Sequence, residues 1–397
     1  MREQLRRAET ILRFRFFLRD FLWPGVIFAC AFIARLILLH QGPKPLGDER
    51  FYIRTGQIFV YLLSQGNFLD PRWRYEPLLF PPVGCYFFGI ALWCAGYQVS
   101  LDPVTGLPPL PYGSPSVFYY ARLVNVILSS ATCVSIFYLG RLLKSVRAGL
   151  IAALIWAFDP FSMDLSRLAL LESSVMFFLI LSMLAFFRGA KTLNTKWSII
   201  SGVLFGLAVG SKLFGLLEFF ILGVLILFLC FKHRFFKTKV SFMPSIHVFL
   251  YYLSICSVVG IITFIISWPF LWPNPILRLS VFFSTPELME RVALGPPDPF
   301  WFFSLLTGCT APELILAIWG LIIASSRMFN GKLNFFESLA ISWFVTTLTF
   351  ITFFMTSHHG WYTFYVTPAI SFLASAGILD ITERFGIWSK VMKLIPI

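Results

Sequence analysis

Apolar runs close to 20 residues long recur from residue 21 almost to the end of the chain, and no other feature limits the fold so strictly. A helix needs about 20 apolar residues to cross a bilayer, and only helices or closed barrels satisfy their backbone there. Runs of this length argue for helices. We place spans near 21–40, 117–140, 148–163, 166–187, 197–212, 213–231, 246–269, 301–325, 336–356 and 361–381. The expected fold is an all-α polytopic membrane protein of about ten helices, with 148–187 and 197–231 as tight helical hairpins. Composition agrees: 58% of residues are hydrophobic, 47 are Phe and only 13% are charged, against about 25% charged in soluble domains. No soluble domain, low-complexity tail or solenoid repeat is evident.

The formal charge of +13 would suggest nucleic acid in a soluble protein. Here the basic residues lie between apolar runs, as orientation signals do, so no nucleic-acid partner is expected. Counting Lys and Arg on alternate sides gives 21 on the side of the termini and 10 on the other. This places both termini in the cytosol and the loops 41–116 and 270–300 outside. Residues 1–20 read as a basic cytosolic segment, and the first span, which lacks a small-x-small cleavage pattern, reads as retained. Within 41–116, residues 48–63 read as an interfacial helix with Phe51, Thr55, Phe59 and Leu62 on one face. Residues 85–97 are apolar but too short to span, and 98–116 hold five prolines and read as loop.

Acids are scarce, so the adjacent pair Asp48-Glu49 stands out. Acids in a first turn offset the helix dipole; a carboxylate beside a membrane-embedded cavity is equally suited to accept a proton from an attacking hydroxyl. Arg122 opens the second span, where an arginine either marks the interface or grips phosphate with paired hydrogen bonds. Arg167 poses the same choice. Glu172 is costly in lipid without a partner, and Arg167, Lys212 or a neighbouring span could supply one. Lys212, among glycines at a junction of spans, is an interface marker or a site for an anionic headgroup. His358, with His359 and Tyr362, lies where an aromatic belt is expected, although the histidines could donate to phosphate or sugar. The seven cysteines make no CxxC pair, so nearly all read as buried small hydrophobes. HExxH, Walker and GxSxG patterns are absent, as is any convincing metal spacing.

Taken in order, these residues resemble the dolichyl-phosphate-mannose protein O-mannosyltransferase family and, more distantly, the bacterial aminoarabinose transferases of lipid A, both C-type glycosyltransferases. The resemblance rests on Gly47-Asp48-Glu49, on Phe80-Pro-Pro-Val-Gly84 leading into 91–97, and on Tyr120-Ala-Arg122. It continues through Asp159-Pro160, then Ser166-Arg-Leu-Ala-Leu-Leu-Glu-Ser173 with Phe177-Phe178, and ends on Gly210-Ser-Lys212 with Gly215. It departs from the family at Phe80 (His in the motif) and Cys85 (Lys), and 270–300 is too short for the usual external sugar-binding domain.

The resemblance implies a single membrane-embedded glycosyltransferase domain over 21–397. The implied donor is a polyprenyl-phosphate sugar, with mannose expected, and the acceptor a protein Ser/Thr or a lipid or glycan hydroxyl. Asp48 would be the base, Glu49 would position the acceptor or share that role, and Arg122 would bind the donor phosphate, helped by Lys212 or His358. Arg167, Glu172 and Tyr362 would support the site. No cofactor and no metal is expected, since arginine can carry the electrostatic role. A transporter or lipid flippase is the competing class; it predicts charges near the bilayer midplane and inverted repeats.

Overall fold

A computed structural model describes residues 21–37, 39, 47–74, 81–111, 115–236, 246–284, 304–305, 308–354 and 360–386. Among them there is no strand. The helices are α1 (Trp23–Ile37), α2 (Gly47–Ser64), α3 (Val83–Cys94), α4 (Pro115–Leu143), α5 (Val146–Phe158), α6 (Pro160–Ser166) and α7 (Glu172–Thr192). They continue as α8 (Thr195–Ser211), α9 (Leu217–Phe236), α10 (Ile246–Ser267), α11 (Pro275–Phe283), α12 (Ala311–Phe329), α13 (Phe335–Phe354) and α14 (Thr367–Arg384).

Each expected span meets a helix, but fewer of these helices suffice alone to cross a bilayer. Seven are long and apolar enough, and eight if α5 and α6 count as one broken span. The helices α1 and α8 are apolar but shorter. Three further expectations are corrected. The break between α5 and α6 is a 62° bend: Pro160 has no N–H to continue α5, while Asp159 caps α6 by accepting from Ser162 N at 2.7 Å. The next span starts only at Glu172, because 167–171 leave the helix; Glu172 is therefore its first residue rather than an interior one. Nor do the paired spans close as hairpins. Lys212, in extended backbone, separates α8, which packs on α7 and α10, from α9, which packs on α13.

At one end of the bundle, α2 and α3 lie against each other and against the spans. Their crossing is made by glycine. A Cβ on Gly56 would stand 2.3 Å from the Cys85 carbonyl oxygen, and one on Gly89 would stand 2.1 Å from that of Gly56. Burial on α2 is wider than a single interfacial face: Glu49, Tyr52, Ile53 and Ile58 are buried together with Thr55, Phe59 and Leu62, while Phe51 is only half-buried. The opposite end is fastened by charge. Glu337 is buried against Lys144 at 3.3 Å and against Arg327, and Arg327 also reaches Asp380 at 3.2 Å. The cysteines only partly fit their expected burial: Cys85, Cys133, Cys256 and Cys309 are buried, Cys30 is half-buried, and Cys94 and Cys230 are exposed.

Candidate active site

The site grows from the first turn of α2. Asp48 and Glu49 are adjacent but turn in different directions, because successive helical positions are about 100° apart. Glu49 is wholly buried. Its two oxygens accept from Arg122 Nε and Nη2, both at 2.8 Å, and Oε1 also accepts from the backbone N–H of Ala169 at 2.7 Å. Arg122 comes from α4 and is itself buried. One turn further along α4, the amide of Asn125 donates to the carbonyls of Leu168 and Leu170 at 2.5 and 2.6 Å. The non-helical stretch 167–171 is thus held by two helices through a carboxylate and an amide. Sequence reading missed Asn125. A polar residue three positions after Arg122 in an apolar span was the available signal.

Asp48 is half-exposed. It lies within electrostatic reach of Tyr52, one turn on, and of Lys212. Burial first, then the charges of Glu172 and Asp48, hold the Tyr52 phenol well above its ordinary range. Lys212 resolves the question of Glu172's partner: its Nζ stands 2.5 Å from Glu172 Oε1. The second oxygen of Glu172 is buried without a partner. The ammonium lies over the rings of Tyr362 and Phe214, at 5.1 and 5.7 Å. Phe214 in turn stacks on Tyr362 and Tyr365, with centroids 4.9 and 4.6 Å apart.

The Pro81-Pro-Val-Gly84 stretch joins the same neighbourhood. A Cβ on Gly84 would stand 2.7 Å from Leu171 Cδ2 and 2.8 Å from Ser174 Oγ; one on Gly210 would stand 2.8 Å from Val83 Cγ2. Motifs spread from residue 47 to residue 215 therefore converge on one end of the bundle. Arg167 is apart from this: it pairs with its near neighbour Asp164 at 3.1 Å, whose side chain is largely exposed. His358 lies outside the described residues.

The described residues thus form a helical membrane bundle with two short helices, α2 and α3, crossing at one end beside carboxylates, a lysine and aromatic rings. Over residues 26–273 the sequence matches the dolichyl-phosphate-mannose-protein mannosyltransferase family, and the chain belongs to that family. The backbone is similar to ArnT of Cupriavidus metallidurans bound to undecaprenyl phosphate, with TM-score 0.63 and 15% identity over 95% of this chain and 64% of that one. It is also similar to the apo oligosaccharyltransferase of Archaeoglobus fulgidus, with TM-score 0.59 and 14% identity over 95% of this chain and 52% of that one. The chain thus spans about half to two-thirds of the length of these structures, and at such identity the likeness is one of fold. No curated protein sequence matches it.

Proposed function

We propose that the protein transfers a sugar, mannose in keeping with its family, from a polyprenyl-phosphate carrier to a hydroxyl acceptor with inversion at the anomeric carbon. The carrying observation is the arrangement around Asp48: a half-exposed carboxylate one residue from the buried Glu49–Arg122 pair and within electrostatic reach of Lys212. Asp48 takes the acceptor's proton as its oxygen attacks the anomeric carbon, and the bond from that carbon to the phosphate oxygen breaks. Charge grows on the leaving phosphate, so a fixed cation there favours the transition state over the ground state. Lys212, beside the aromatic stack of Phe214, Tyr362 and Tyr365 and within electrostatic reach of Asp48, is the cation best placed for that role. Glu49 has its oxygens occupied by Arg122 and Ala169, which suits a positioning residue.

Three things support a lipid carrier: the family's name, the undecaprenyl phosphate on ArnT, and the dolichol-phosphate in complex with AglB of Archaeoglobus fulgidus. The acceptor is read as protein Ser/Thr from the family, at the external or lumenal face assigned by charge. The test is transfer from radiolabelled polyprenyl-phosphate-mannose by purified protein, wild type beside Asp48→Asn. A missing general base costs about 10²–10⁴-fold in rate. Label reaching a peptide in wild type alone supports the proposal, label reaching only lipid or glycan moves the acceptor class, and equal transfer by both proteins removes Asp48 as the base.

A further inference from the structure

Away from the Asp48 site, three side chains meet where α12 begins. Thr310 caps α12; Cys309 immediately precedes the cap, and Glu313 lies in the helix's first turn. Both face Asp159 at the α5–α6 bend, and one donor atom from each of the three lies within 4.8 Å of the others. All are enclosed, with Asp159 1%, Glu313 6% and Cys309 8% exposed. Asp159 uses Oδ2 to cap α6; its Oδ1 and Glu313 Oε1 meet no donor from other side chains, and the two carboxyls stand within hydrogen-bonding reach of each other. Two buried carboxylates facing each other are expensive, so a proton or a cation between them is called for.

We propose that Asp159, Cys309 and Glu313 form a zinc site. The donor chemistry selects the metal. Magnesium and calcium take oxygen ligands, whereas zinc accepts sulfur and oxygen together. At zinc bond lengths of about 2.0–2.3 Å, tetrahedral ligands stand about 3.3–3.8 Å apart, so these three need to draw in by roughly 1 Å. A water completes the fourth position. Charge also closes: two carboxylates, a thiolate and the wholly buried Arg35, whose guanidinium acts electrostatically on Asp159, sum to the charge that one divalent cation cancels. On binding, the Cys309 thiol proton, and any proton held between the carboxyls, leaves to solvent. A proton shared by the carboxyls would engage two of the three donors, whereas zinc engages all three, and the titration below separates the two cases.

The site has a place in the fold. It would clip α12 to the α5–α6 corner, and α6 runs directly into the 167–171 stretch that Glu49 and Asn125 hold. The test uses the full-length protein in detergent, stripped of metal by chelation and titrated with Co²⁺ and then Zn²⁺. The expected result is one Co²⁺ per chain with a thiolate-to-cobalt charge-transfer band that Zn²⁺ abolishes. The band should be absent from Cys309→Ser and retained in Cys94→Ser, which removes an exposed thiol. Zn²⁺ should raise the melting temperature of wild type but not of Glu313→Gln. Absence of the band in wild type, its survival in Cys309→Ser, or a wild-type melting temperature indifferent to Zn²⁺ overturns the proposal.

Discussion

Glu49 and Arg122 form a bidentate pair with both partners withdrawn from solvent. Such a pair adds little over a well-packed apolar pair, yet removing one partner strands the other charge and costs about 3–5 kcal/mol. Arg122→Met is therefore expected to lower the melting temperature sharply, and adding Glu49→Leu should recover much of the loss without restoring transfer. An unchanged melting temperature for Arg122→Met would show the pair to be open in solution. Lys212 is a different case, since its ammonium lies over aromatic rings as well as against Glu172. Lys212→Met should leave donor KM nearly alone and lower kcat about 10²–10³-fold, the usual loss of one transition-state donor. A change confined to KM would assign Lys212 to binding only.

At the scale of elements, the α2–α3 crossing places the site. Because backbone meets backbone at Gly56 and Gly89, nothing there can rotate aside to admit a methyl group. Gly56→Ala should separate the two helices, cost roughly 1–3 kcal/mol as overpacking does, and shift Asp48 and Tyr52 from the spans that hold Lys212. Transfer should then fall further than stability does, read as activity against melting temperature in one preparation. Near-normal activity would mean that α2 holds its place by its contacts with the spans. The bend at Asp159-Pro160 and the extended backbone at Lys212 are the other two element-level devices. Each ends a helix beside a side chain used in one of the two proposals, Asp159 and Lys212.

For the whole molecule, the asymmetry of 21 basic residues against 10 is the ground on which we propose that the termini lie in the cytosol and the α2–α3 end outside. Val104, 90% exposed in the loop before α4, offers a direct check. A membrane-impermeant maleimide should label Val104→Cys in intact cells, or in sealed vesicles only from the lumenal side, on a background with Cys94 replaced. Labelling only after the membrane is opened would reverse the topology and place the proposed chemistry in the cytosol.

Hydropathy alone determined that this chain is a helical membrane protein. The reason is that a bilayer forces each crossing segment to declare itself by length and apolarity. The pair Asp48-Glu49, Arg122 and Lys212 were also visible, because charge is rare enough in such a sequence to stand out. Tertiary structure decided which of two adjacent acids is buried, that Glu172 belongs to Lys212 rather than Arg167, and that Asn125 holds the 167–171 stretch. It also brought Asp159 to Cys309 and Glu313 across some 150 positions of sequence. Periodicity specifies which face of one helix is apolar. Which charges meet depends on how several helices cross, and in this protein that is set at contacts as small as a glycine against a carbonyl.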